Sequence, residues 1–137
     1  MASLDEIAHY LPLTVAIATS GQPTAAQLAA IQQAGYDVVI NLALPTSTGA
    51  IANEVELVTA LGLTYIPIPV LWEAPQPSDF EQFCAAMQAH AHQRVYVHCA
   101  ANMRVSAFMY LYRVLVLETD PAIAATPIAR SHPDRPG

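Results

Sequence analysis

The chain has 137 residues, 54% of them hydrophobic and 12% charged, with a formal charge of −6. That length suits one domain, and the composition supplies a sizeable core and excludes an intrinsically disordered chain. The acidic balance, with a pI near 5.1, speaks against nucleic acid or an anionic membrane surface as partner, although backbone amides and one arginine can still build a local anion site.

The apolar run at residues 11–18 contains Pro12 and Thr14, follows Asp5 and Glu6, and is too short to span a bilayer. It lacks the basic leader of a signal peptide, and the two cysteines, Cys84 and Cys99, make no disulfide framework, so a reducing, cytoplasmic setting is expected. Residues 13–18 read as a first strand ending in the turn-rich 19–23. Thr24 with Gln27 forms a capping-box pattern, opening a helix over 25–34 that Gly35 closes. Residues 37–42 are a continuous apolar run of the kind that parallel sheets bury on both faces. A polar loop at 45–49 leads to a helix over about 52–61 stopped by Gly62, then a strand over 64–68. The proline-rich stretch 67–77 is a loop, with Ser78 or Asp79 capping a helix to about His90. A strand over 94–98 and an apolar helix over 108–117 complete the pattern. Strand and helix alternate four times, with connections long enough for right-handed crossovers. The expectation is an α/β three-layer sandwich around a four-stranded parallel sheet, one domain over residues 1–126, and a loose tail over 127–137.

In such sheets ligands collect beyond the carboxyl ends of the strands. There the last strand runs into His98-Cys99-Ala100-Ala101-Asn102-Met103-Arg104-Val105-Ser106 and then a helix. This strand-loop-helix unit holds a cysteine at the positive end of a helix, with the N–H groups of residues 100–105 available to an oxyanion. A cysteine is a useful nucleophile as thiolate, and helix N-termini and neighbouring cations favour that form. Arg104 supplies a planar fork suited to two phosphate oxygens, and no other cation lies in the segments expected on this face. Ser106 is placed to donate to the sulfur as it leaves, and His98 to fix the loop through its backbone. The set fits nucleophilic catalysis on a phosphate ester through a phosphocysteine.

These residues resemble the cysteine-dependent protein tyrosine phosphatase superfamily, in particular a small bacterial branch of dual-specificity type. The resemblance rests on VHCAANMRVSA, on SGQPTAAQLAAIQQAGYDVVINL at 20–42 and on ALGLTYIPIPV at 60–70, and covers roughly residues 13–117. It implies a tyrosine-phosphatase-like sheet of order 1-4-2-3, with the Cys99 strand in the interior, a phosphorylated substrate, and no cofactor or metal. It also implies a phosphate-binding loop formed by Ala100, Ala101, Asn102, Met103, Arg104 and Val105. One departure stands out: four residues separate Cys99 from Arg104 where the superfamily has five. Ser106 keeps its place, so Val105 takes the usual arginine position and Asn102 stands where glycine is usual. One residue of helix turns a side chain by about 100°, so Arg104 approaches a phosphate from another side. The superfamily's general acid is an aspartate on the loop after the third strand; in this chain Glu73 is the first choice there and Asp79 the second, while Trp72 would wall the pocket.

Other residues have plainer readings. Cys84 sits at helical spacing among apolar residues and reads as core. His90 and His92, two apart, point to different sides of a helix and do not suggest a metal site. Two alternatives to the phosphatase stay open: a rhodanese-like sulfurtransferase, whose loops can carry this shorter Cys-to-Arg spacing, and a catalytically weak phosphate-binding module.

Overall fold

The computed structural model describes residues 4–47, 49–71, 73–101, 103–118, 120 and 122. After a short 3-10 turn at Leu4–Glu6 come β1 (Leu11–Pro12), β2 (Ile17–Ser20), α1 (Ala25–Gln33), β3 (Val38–Asn41), α2 (Glu54–Ala60), β4 (Thr64–Pro67), α3 (Pro77–Ala89), β5 (Val95–His98) and α4 (Met103–Leu115). Among the described residues no helix is long and apolar enough to cross a membrane. The loose tail expected from residue 127 lies outside the described residues.

The sheet order is β1-β2-β5-β3-β4. Its four long strands are parallel and run in the expected order, with β5 in the interior between β2 and β3. The expectation of a wholly parallel, four-stranded sheet needs one correction: β1 adds a fifth, antiparallel strand on the free edge of β2. The predicted strand over 13–18 begins later than expected: residues 13–16 form the turn of this hairpin, and the strand proper starts at Ile17. The Thr14 hydroxyl accepts the N–H groups of Ala16 and Ile17, each at 3.0 Å. That local side-chain bond competes with extended pairing and folds the chain back. Thr19 and Ser20, expected in a turn, are therefore strand residues, and both are buried.

Each face of the sheet carries its own core, because successive strand residues point to opposite sides. Val38, Ile40, Val95 and Val97 pack with Phe83 and Met87 of α3 and with Val105, Phe108, Met109 and Tyr112 of α4. Ala18, Val39 and Tyr96 pack on the other side with Leu28 and Ile31 of α1 and Val58 of α2. The uninterrupted Val-Val-Ile of β3 thus serves both layers. α1 opens with the expected capping box, Thr24 Oγ1 accepting from Gln27 N at 3.2 Å and Gln27 Oε1 from Thr24 N at 2.9 Å. At α3 the expected cap is corrected. Gln76 is the N-cap and Pro77 opens the helix, where a missing N–H costs nothing. Asp79 sits at N3 and accepts the Gln76 N–H at 2.8 Å. α4 begins at Met103, more than a turn earlier than its apolar run suggests, so Arg104 belongs to the helix itself.

Phe83 is fully buried, with ring centroids 5.7 Å from Phe108 and 6.0 Å from Tyr112. Its neighbour Cys84 is half-buried against the same cluster, and burial pushes its thiol pKa up, as suits packing rather than reactivity. Phe83→Ala is therefore expected to destabilise the protein by about 3–5 kcal/mol in denaturant melts, and Cys84→Ala by clearly less. Equal losses would contradict this packing of α3 on α4.

Candidate active site

The parallel order brings the carboxyl ends of β2, β5, β3 and β4 to one edge, with Ser20, His98 and Asn41 in adjacent register. Cys99 follows β5 and is fully buried, its N–H donating to Ser20 O at 3.3 Å. The next residues are clipped to the turn after β2. Gln22 N–H donates to Ala100 O at 3.1 Å, and Gly21 bridges Ala101. A Cβ on Gly21 would lie 2.7 Å from Ala100 O, closer than real contacts allow, so glycine is required here by the approach of the loop. Cys99, Ala100, Ala101, Met103 and Arg104 enclose a cavity of about 140 Å³. Asn102, expected in the same loop, lies outside the described residues, as does Trp72.

Arg104 is the second residue of α4 and is 9% exposed. Arg104 lines the cavity, and its guanidinium donates from Nη1 to Val70 O at 2.8 Å, a carbonyl in the loop after β4. Val105 points the other way and is fully buried in the α3–α4 core. The helix phase explains the shorter spacing. Position 104 faces the cavity and position 105 the core, so an arginine at 105 would place its charge among Phe108 and Met109. Ser106 is buried in the same turn. Of the two candidate acids, Glu73 is exposed in the loop beyond Val70. The Asp79 carboxylate is engaged with the Gln76 N–H at the start of α3.

The residue that sequence reasoning missed is Glu54, at the start of α2. Side chains alternate along β5, so Cys99 joins the α3–α4 core while His98 turns toward α2. Both His98 and Glu54 are buried, and His98 Nε2 lies 2.6 Å from Glu54 Oε2. The other carboxylate oxygen accepts from Gln22 Nε2 at 2.9 Å. Asn41 Nδ2 reaches Oε2 at 3.5 Å and the Tyr65 hydroxyl at 2.9 Å, and that hydroxyl is a further donor to the carboxylate. One acidic side chain thus joins groups from β3, β4, β5 and the turn after β2. Burial alone would raise the Glu54 pKa. The hydrogen bond and charge of His98, followed by the Gln22 and Tyr65 donors, outweigh it and leave the group below its ordinary value of 4.5. Tyr65 is pushed up to about 12, by burial first, and stays a donor. A signal for Glu54 was present. It falls on the stripe Ile51, Glu54, Val58, Leu61, whose other members are half-buried or buried, so an acid there faces inward. At a helix start it reads instead as complementing the helix dipole. Among the described residues no three His, Cys, Asp or Glu side chains cluster as metal ligands would.

A sequence profile described as DSP-PTPase phosphatase fused to NAD+ kinase matches residues 4–132. Among solved structures, a candidate phosphatase of Shewanella putrefaciens CN-32 is 41% identical, with a TM-score of 0.82 over 90% of this chain and 83% of that one. TpbA of P. aeruginosa, crystallised with phosphotyrosine, is 16% identical with a TM-score of 0.72, covering 93% of this chain and 75% of its own. A protein of Neisseria meningitidis is 19% identical, also at 0.72, covering 90% and 88%. The last two share the fold. No curated protein matches the chain.

The Glu54 pKa is lowered in the fold, so this carboxylate contributes stability above its ordinary value of 4.5 that is lost as pH falls through the lower folded value. Between about pH 5 and pH 3 the melting temperature of the wild type is expected to fall more steeply than that of Glu54→Gln, which has no proton to gain. Parallel curves would mean that Glu54 is not held as a carboxylate.

Proposed function

The chain belongs to the family described as dual-specificity-type tyrosine phosphatase fused to NAD+ kinase, and from that membership we propose that it hydrolyses phosphate monoesters through a phosphocysteine on Cys99. The observation that carries the proposal is the shared cavity: Cys99, the loop residues Ala100 and Ala101, and Arg104 all line it. The Cys99 thiolate attacks phosphorus, forming the S–P bond as the P–O bond to the leaving group breaks. Glu73 donates its proton to the departing oxygen. Water then attacks the phosphocysteine and gives a proton to the Glu73 carboxylate; the S–P bond breaks, inorganic phosphate leaves, and Ser106 donates to the sulfur as its charge returns. Arg104 exchanges Val70 O for two phosphoryl oxygens, placing its charge where negative charge develops.

The phosphotyrosine held by TpbA makes aryl phosphates the first substrates to test. The kinase named in the family description adds phosphorylated nucleotides to the panel. A second reading has one observation in its favour. Arg104 already has a carbonyl partner, and if it kept that partner the loop would bind phosphate and turn it over poorly. Activity on a phosphate-ester panel separates the two.

Cys99→Ser is expected to abolish hydrolysis without lowering the melting temperature appreciably, because a serine hydroxyl is not ionised where a thiol can be. Substantial residual turnover would remove the phosphocysteine. Glu73→Gln should lose about 10²–10⁴-fold in kcat on alkyl phosphates with poor leaving groups and far less on activated aryl phosphates. Asp79→Asn should mainly cost stability, about 1 kcal/mol for the weakened cap. The reverse ranking on alkyl phosphates would give the acid role to Asp79.

A further inference from the structure

We propose that Glu54 is a positioning residue for the Cys99 loop, acting through His98 rather than on the substrate. The inference rests on the phosphatase reading for its kinetic consequence but not for its geometry. His98 is the last residue of β5, and its imidazole has two directed contacts. Nε2 meets Glu54 Oε2 at 2.6 Å, and Nδ1 faces Cys99 O at 3.5 Å. The first contact fixes the ring plane and so the angle at which the second meets the peptide that leads out of Cys99. That peptide sets where Sγ points and how the Ala100 and Ala101 amides face the cavity.

Glu54 grips the same loop from its other flank. Its second oxygen holds the Gln22 side chain at 2.9 Å, and the Gln22 backbone N–H holds Ala100 O at 3.1 Å. The carboxylate therefore reaches the loop by two routes, one through each neighbour of Cys99. It is not among the residues that line the cavity of about 140 Å³ at Cys99 and Arg104, so it has no direct access to a phosphate bound there. A carboxylate is the group the hub needs. Each of its oxygens accepts, whereas an amide would offer a donor to either His98 or Gln22, which already donate.

The test uses the full chain in a Cys84→Ala background, so that iodoacetamide reports Cys99 alone. Glu54→Gln is expected to lower kcat for an aryl phosphate by about 10–100-fold while KM changes by less than about threefold. Alkylation of Cys99 at fixed pH is expected to slow by about tenfold. Glu56→Gln, an exposed neighbour on the same helix, should leave both unchanged. The double variant Glu54→Gln/His98→Asn should lose clearly less than the product of the two single losses, because one of the two routes from Glu54 to the loop runs through the ring. Unchanged kcat and alkylation with only a lower melting temperature would overturn the proposal, as would losses that multiply in the double variant. If Glu54→Gln does not fold, Gln22→Ala weakens the hub from its edge and should shift alkylation the same way; no shift overturns the proposal. A wild type inactive on every phosphate ester, but whose alkylation still responds to Glu54→Gln, would sink the phosphatase reading and leave the positioning role standing.

Discussion

A charge held away from water must be matched by donors around it, and in this fold one such charge sits at the sheet edge where β5 leads into Cys99. The Glu54 carboxylate is 4% exposed and meets His98, Gln22, Tyr65 and Asn41. An isolated carboxylate at that depth would cost several kcal/mol, so the site holds only while its donors are in place. Those donors sit at the carboxyl ends of β3 and β5, within β4, and in the turn after β2. Their relative heights are therefore coupled, and the loop that leaves β5 inherits the result. The apolar layers beneath it, built on Leu28, Ile31 and Val58, make the platform on which this polar layer rests.

The loop itself is shaped by close approach as much as by hydrogen bonding. Gly21 admits Ala100 O at a distance that any side chain would block. The antiparallel edge strand β1 helps hold that turn, since Gly21 N–H donates to Ala8 O at 2.7 Å just before it. On the far side the first turn of α4 is anchored by Val105, Phe108 and Met109 in the core. With those positions facing inward, helix geometry leaves 103 and 104 on the cavity side of the first turn. The shorter distance between cysteine and arginine follows from the phase of the helix that carries the arginine. It need not signal a lost function.

Much of the fold was legible because local and global signals agree. The β3 run is apolar without alternation because both faces are covered, and the Thr24–Gln27 box marks the start of α1. Strand order came from family resemblance and not from any periodicity. What escaped the sequence did so for physical reasons. β1 is two residues long, too short for an alternating pattern, and the turn after it is closed by one threonine hydroxyl. The start of α4 was hidden because its first turn carries Arg104 and Ser106, polar residues that read as loop until their neighbours place them. The pairing of Cys99 with Arg104 was visible from their spacing. The pairing of His98 with Glu54, 44 positions apart, needed the sheet to bring β5 beside the start of α2.

The central claim is that Cys99 and Arg104 act together on a phosphoryl group in one cavity. Vanadate tests this directly, because it takes the five-coordinate geometry of phosphoryl transfer. A crystal structure of the vanadate complex is predicted to show vanadium bonded to Cys99 Sγ, the loop amides on its equatorial oxygens, and the Arg104 guanidinium swung from Val70 O onto two of those oxygens. Vanadium bonded at Cys99 with the guanidinium still on Val70 O, or vanadate absent from the cavity at saturating concentration, would contradict the account.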